Sequence, residues 1–285
     1  MSNTDLIDVS NVPEKAKIVT IKRVEPGLVI AIAILVIAFL FVIMPWAFTS
    51  YSPVDEVGEH LVAPNFTHIF GTDELGRDLY ARIVYGAVHS LTGALAAVLF
   101  GFILGGFLGL VSGSIGGLVD TIIMRIVDVL LSIPSLLLSL SVITLMGFGS
   151  LQIAVAVGVT SVAGFSRLMR AEVARIKSLD YIEAAYGSGA TFFAVIWRHI
   201  LPNALYTVIS YAALQFGHAL LQIATLGFLG YGVQPPTPEW GLIIAEGRNY
   251  IATGWWLTTI PGLVTIAVVL SFNRISRLFS AKGRW

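Results

Sequence analysis

Cysteine is absent from the 285-residue chain, which excludes disulfide staples, thiolate zinc sites, iron–sulfur clusters and cysteine nucleophiles together. Charge is scarce as well. Asp, Glu, Lys and Arg make up 12% of the residues, against roughly 25% in an ordinary soluble chain. The 17 basic and 17 acidic side chains cancel, so there is no net field to draw in nucleic acid. A phosphate cradle of the form G-x-x-x-x-G-K-[ST] is missing, and the dipeptide Gly-Lys does not occur at all; ATP hydrolysis by this chain is not expected. What abounds is apolar surface: 56% of residues are hydrophobic and mean hydropathy is +0.85.

Five stretches carry no Asp, Glu, Lys or Arg: residues 26–54, 83–119, 129–166, 199–238 and 249–273. Lipid offers an open backbone no hydrogen-bond partner, so a crossing takes about 20 apolar residues wound as a helix. The first two stretches predict spans over residues 27–48 and 91–111, the second closed by Ser112, Gly113, Ser114, Gly116 and Gly117. The third predicts two short spans, 129–146 and 151–166, hinged at Gly147-Phe148-Gly149-Ser150, with Arg167 snorkelling at the exit. Gly and Pro crowd the end of the fourth (Gly227, Gly230, Gly232, Pro235, Pro236, Pro238), leaving one span over 203–226, and the fifth supplies 251–272. The expected fold is an all-α integral membrane protein of six transmembrane helices. Its parts are an N-terminal segment 1–26, a membrane domain 27–273 with a long polar insertion at 167–202, and a tail 274–285.

The positive-inside rule orients such a bundle. Thirteen Lys and Arg fall before the first span, between spans four and five, and after the last, whereas the opposite face has only Arg77, Arg82 and Arg248. Both termini and the 167–202 segment are therefore expected in the cytoplasm. A five-span reading would split the basic segments across the membrane. The N-terminus does not read as a cleavable signal, because a polar lead precedes an apolar run of full span length.

Span two carries glycine at every fourth position, Gly101, Gly105, Gly109 and Gly113. A ridge of this kind lets another backbone approach closely, either inside the bundle or at a dimer or moving seam. Arg125 and Asp128, three apart at the start of span three, are expected to pair near the membrane edge. The five histidines, His60, His68, His89, His199 and His218, include no pair three or four apart, so no metal site is expected. The 36-residue segment 167–202 is too long for a mere connection. Its pattern predicts two helices with a short surface helix between them, interrupted at Gly187 and Gly189 and closed by Pro202. Ala184 and Ala185 give that helix little bulk and Glu183 gives it a charge. It suits a docking element or an ordinary amphipathic surface helix equally.

Here the residues reach a resemblance. Glu183-Ala184-Ala185, then Gly189, then Leu201-Pro202 resemble the EAA loop of ABC importer permeases, with His199 where the general motif has Ile. The ending Arg198-His199-Ile200-Leu201-Pro202-Asn203 is similar to the peptide and nickel branch of that family. Gly71-Thr72-Asp73-Glu74-Leu75-Gly76-Arg77-Asp78 resembles that branch's GTDxxGRD signature. The segment from Phe228 through Gln234, Pro235, Pro236, Thr237, Pro238, Glu239 and Trp240 to Gly241 resembles FLGxGxQPPxPEWG. Asp120, Met124, Arg125 and Asp128, followed by Ser132-Ile133-Pro134-Ser135, are similar to the family's third span. After Asn273 the family continues with a glycine and acidic tail, where this chain has Arg274-Ile275-Ser276-Arg277.

The resemblance implies a type I ABC importer permease in a bacterial inner membrane, with no cofactor of its own. It implies a homologous permease, two ATPase subunits that use ATP and magnesium, and an extracytoplasmic substrate-binding protein as partners. Glu183, Ala184, Ala185, Gly187, Gly189 and Pro202 would form the ATPase-docking segment. The implied cargo is a peptide or related small solute, with nickel or a metal chelate as the alternative. A self-sufficient secondary transporter would want internal repeats and intramembrane charges, and neither is evident.

Overall fold

A computed structural model describes residues 26–282, and within them the fold is helical, with a single isolated bridge between Thr72 and Asp78. The first helix, α1 (Pro26–Ile43), is followed by an irregular segment, then α2 (Leu79–Ile115), α3 (Gly117–Ser132), α4 (Ser135–Met146) and α5 (Ser150–Lys177). Next come α6 (Asp180–Gly187), α7 (Phe192–Val195), α8 (Leu201–Phe228), α9 (Trp240–Gly247) and α10 (Trp256–Lys282). Among the described residues five helical runs are long and apolar enough to cross a bilayer, and a sixth arises if α3 and α4 count together.

The helices differ from the expected spans in three ways. Helix α2 runs 37 residues, beginning twelve before the expected span, because Asp78 caps it by accepting the Ala81 amide at 2.7 Å. It also continues through Gly113. A glycine weakens a helix by only about 1 kcal/mol, and here α5 packs against it, so the helix stops only at Gly116, whose φ is 75°. The expected span 129–146 is broken: Ile133-Pro134 separates α3 from α4 and the two meet at 97°. Proline removes the donor and disfavours the helical conformation of the residue before it, so the turn falls there. With 12 residues, α4 is about 18 Å long and shorter than the hydrocarbon core. Third, Pro202 does not close the 167–202 segment. The helix runs on from Phe192 to Phe228, and residues Ile196–Ile200 widen into a π turn in which the Leu201 amide donates to the Ile196 carbonyl. That extra residue accommodates the clash and missing donor that proline imposes on the preceding turn.

The α2–α5 pair is the most extensive helix contact, and its cause is the glycine ridge. A methyl group at Gly105 would land on the Val162 carbonyl oxygen and one at Gly109 on that of Ser166. At Gly101 it would lie 2.7 Å from Ser161 Cβ, and at Gly113 2.8 Å from Val173 Cβ. From the facing helix, Gly158 sits against Phe100. The ridge is thus filled by this chain's own α5, an internal seam. Phe165, fully buried, anchors it by edge contacts with Phe102 and Tyr211. Helices α8 and α10 pack on the other side, with Phe216 stacked on Phe272 at 4.1 Å. Helix α1 lies at the periphery, its Val29, Ile30, Ile32, Val36, Ile37 and Phe39 exposed as lipid-facing side chains would be.

Candidate functional site

Three places combine polar side chains with a surface that something else can reach. The first joins the two outer signature segments. Asp73 folds its own turn: one carboxylate oxygen accepts the amides of Leu75 and Arg77, both at 2.9 Å, and the other accepts Arg77 Nε at 2.6 Å. Arg77 also reaches Glu74 at 3.2 Å and Glu246 at 3.6 Å. Arg82, fully buried in α2, donates to Glu246 at 2.6 Å. Asp78 holds His68 at 2.9 Å in addition to its capping role. Thr72 bonds the Glu59 carbonyl and the Val62 amide, and its own carbonyl accepts Trp256 Nε1 at 3.2 Å. Gly71 and Gly76 have φ of 81° and 70°, and a side chain at either would strike the backbone of Val62 or Gly58.

The second signature closes on the same helix. Glu239 caps α9, accepting the amides of Gly241 and Leu242 at 3.0 Å each, and accepts the Ser90 hydroxyl of α2 at 3.0 Å. Ser90 in turn accepts the Trp240 amide at 3.1 Å, and the Trp240 ring donates to the Ile83 carbonyl at 2.9 Å. Gly241 lies against Ala224 of α8, where no Cβ fits. Burial raises the Glu239 carboxyl above its ordinary value against the pull of its three donors, and burial likewise raises Glu246 against the pull of Arg82 and Arg77. Gly71, Thr72, Asp73, Gly76, Arg77, Asp78, Pro238, Glu239, Trp240 and Gly241 are all buried, while Gln234, Pro235 and Pro236 form an exposed loop. Most of these signature residues therefore hold neighbouring ends of α2, α8, α9 and α10 together. Ser90 and Glu246, which complete the network, escaped the sequence reading because neither belongs to either motif.

The second place is a cavity of about 460 Å³ between α4, α5 and α8, lined by Ser135, Thr160, Gln215, His218, Gln222 and Thr225 among others. Gln222 Nε2 donates to Ser139 at 2.6 Å and to the Ser135 carbonyl at 3.3 Å. Thr160 lies ten residues into α5, about 15 Å along the helix, so the cavity sits in the interior of the expected membrane layer. The lining holds no Asp, Glu, Lys or Arg, and its polar side chains stand beside Leu136, Ala219 and Leu221. The spacing of Gln215, His218, Gln222 and Thr225, at i, i+3, i+7 and i+10, marks one helix face, a polar stripe that the sequence carries without any charged residue.

The third place is opposite the outer network. Helix α6 stands out with Glu183, Ala184, Tyr186 and Gly187 exposed and Ile182 buried beneath it. Gly189 has φ 89° and turns the chain into α7, which Thr191 caps. Nothing lies within 4 Å of a Cβ at Gly187 or Gly189, so these glycines leave open space instead of serving internal packing. Behind α6, Arg170 of α5 grips Asp120 of α3 with two bonds of 2.5 and 2.6 Å. Asp120 also accepts the Ser112 hydroxyl, and Lys177 reaches the Ser114 carbonyl at 2.8 Å. The expected Arg125–Asp128 pair does not form. Asp128 bonds Arg167 at 2.7 Å instead, because α5 passes beside α3, whereas Arg125 is exposed. His60 and His68 pair with Glu56 and Asp78, and among the described residues no cluster of metal-ligating side chains occurs.

Residues 97–284 match the family model described as "Binding-protein-dependent transport system inner membrane component". The chain belongs to that family. Among its curated relatives, the di/tripeptide transport system permease protein of Pseudomonas aeruginosa is 37% identical over 246 residues, covering 84% of this chain and 81% of that one. The probable D,D-dipeptide transport system permease protein of Escherichia coli is 37% identical over 259 residues, covering 90% and 87%. In fold the chain is similar to a chain of the MetNI methionine ABC transporter in an inward-facing conformation, with a TM-score of 0.56, 21% identity, and coverage of 69% of this chain and 95% of that one. This protein is a permease subunit of a bacterial ABC importer, resident in the inner membrane and not an enzyme. Hydrolysis of ATP falls to separate ATPase subunits, and a substrate-binding protein serves the same system.

Proposed function

We propose that this permease imports short peptides or closely related amide-bearing solutes, that it does so beside a homologous permease, and that α6 is the element through which a pair of ATPase subunits drives it. The observation that carries the docking assignment is α6 itself. It is a helix of eight residues that buries Ile182 and offers Glu183 and the small Ala184 to the outside. A small-residue face with one carboxylate suits a cleft that supplies an arginine. The uncharged polar lining at Gln215, Gln222 and Thr160 supports the cargo class, because amide and hydroxyl groups can exchange transient hydrogen bonds with a peptide backbone without trapping it. The names of the curated relatives, both dipeptide systems, point the same way.

In this reading both termini, α6 and the Asp120–Arg170 pair are cytoplasmic, as the thirteen-to-three distribution of basic residues supports. Closure of the ATPase pair would push α6, and α5, which directly precedes it, would carry that displacement to α4 and the cavity. The test is Glu183→Arg. The variant is expected to insert and be recovered at wild-type level, yet to lose peptide uptake and co-purify with less ATPase. Normal uptake in that variant would remove α6 from the drive path.

A further inference from the structure

The segment between α1 and α2 has two unlike arms. Residues 54–59 include Asp55, Glu56 and Glu59, all exposed, whereas residues 60–72 contain no Asp, Glu, Lys or Arg. The second arm shows apolar side chains at its surface: Phe66 is fully exposed and Ile69 is 59% exposed. The turn that carries them is braced. Asn65 Oδ1 accepts the amides of Thr67 at 2.8 Å and His68 at 2.9 Å, and Asn65 Nδ2 donates to the Ala63 carbonyl at 3.0 Å. The amides of Asn65 and Gly71 both donate to the His68 carbonyl at 2.9 Å, and the His68 ring is buried against Asp78. Phe66 and Ile69 therefore project from a fixed turn and not from a slack loop. Phe70, the next residue, sets the level of that turn. Its ring meets the edge of Tyr80 at 5.3 Å, and Tyr80 meets Phe41 of α1 at 6.4 Å. With Ile37 and Val264 these rings line an apolar cavity of about 240 Å³. Ile37 and Phe41 belong to the last two turns of α1, and Val264 stands about 12 Å into α10, so the apolar arm folds back onto the ends of two spans. Trp46, just after α1, and Trp255, just before α10, are 68% and 55% exposed, and tryptophans at span ends mark the headgroup level.

We infer that the turn at residues 64–70 is a membrane anchor, in which Phe66 and Ile69 enter the boundary between headgroups and acyl chains beside Trp46 and Trp255, while the acidic arm at 54–59 stays in water. Three observations favour a lipid surface over a protein partner. The exposed apolar arm has no charge to pair with a partner's, it stands by the span ends that the tryptophans mark, and the amides of Asn65, Thr67, His68 and Gly71 are already bonded within the turn, which suits a surface that offers the backbone few partners. The anchor would hold the buried turn of Asp73 and Arg77, which follows directly, in register with the bilayer. The inference does not depend on the cargo or on the docking role of α6.

The chain's lack of cysteine makes the test direct. Phe66→Cys, Ile69→Cys and Glu59→Cys are each spin-labelled in the purified importer complex and reconstituted into phospholipid vesicles. Collision of the nitroxide with oxygen, which concentrates in lipid, is then compared with its collision with a water-soluble nickel chelate. The complex with the unsubstituted chain, which has no thiol of its own, supplies the background from the other subunits. Labels at positions 66 and 69 are expected to favour oxygen and the label at 59 the chelate, so that the preference reverses within one short segment. The same preference at all three positions would overturn the anchor. Labels at 66 and 69 shielded from both reagents would overturn it in favour of burial under a neighbouring subunit. Labels open to the chelate until the substrate-binding protein is added, and shielded afterwards, would overturn it in favour of a protein-docking surface.

Discussion

Gly105 and Gly106 are neighbours in sequence and opposites in consequence. At Gly105 an added methyl meets the Val162 backbone, which cannot yield, whereas at Gly106 it meets the flexible end of Met169 at 3.6 Å. Gly105→Ala is therefore expected to destabilise the α2–α5 seam by about 1–3 kcal/mol, the usual cost of overpacking, and Gly106→Ala to be neutral. Thermal unfolding of the detergent-solubilised chain checks the contrast, and equal melting of the two variants would dissolve it. Ser90 makes a second case. Its hydroxyl accepts from the Trp240 amide and donates to Glu239, so Ser90→Ala leaves a buried donor without a partner, at about 1–3 kcal/mol. Ser90→Thr, which keeps the hydroxyl, is expected to recover part of the loss in the same measurement. Nothing about Ser90 in isolation announces this role; it is legible only once α9 has been folded back upon α2.

Among the elements, the outcome depended on whether local chemistry or a distant neighbour decides. The apolar parts of α1, α5, α8 and α10 are legible because an unbroken apolar run must be helical in lipid, whereas the charged extensions of α5 to Lys177 and α10 to Lys282 lie beyond the expected spans. The ends of α2 were not, since Asp78 caps it and α5 buries its glycines, and both are tertiary events. The break between α3 and α4 could be read from Ile133-Pro134 by the rule that disfavours helix before proline, but the run's length suggested a straight span. Pairing misled in the same way: Arg125 and Asp128 share a helix, yet Arg167 and Arg170 from α5 take Asp128 and Asp120. Since Asp120–Arg170 joins α3 to the helix that leads into α6, Asp120→Arg is expected to reduce peptide uptake severely. The exchange Asp120→Arg, Arg170→Asp is expected to restore a substantial part. Uptake that is normal in the single variant, or no better in the exchanged one, would take the pair out of the drive path.

The whole molecule is polarised between two ends. At one end most signature residues are buried in two bonded sets, Asp73, Arg77 and Arg82 with Glu246, and Glu239 and Trp240 with Ser90, a rigid clamp. At the other end α6 is exposed, and Gly187 and Gly189 face open space. Neutral overall charge conceals an uneven placement of basic residues along the sequence. The motifs revealed the family, whereas the cavity had to be found by folding the chain, because uncharged glutamines carry no signature until one helix face is turned toward α4 and α5. The central claim is that α6 receives the ATPase subunits, and the absence of cysteine gives a clean way to test it. Ala184→Cys introduces the sole thiol of the chain, and oxidative cross-linking in inverted membrane vesicles can trap whatever engages it. The predicted result is a disulfide to an ATPase subunit carrying a cysteine in its docking cleft, together with protection from impermeant thiol reagents applied to intact cells. Labelling of that cysteine from outside the cell, or failure to cross-link to any ATPase subunit in an assembled complex, would contradict it.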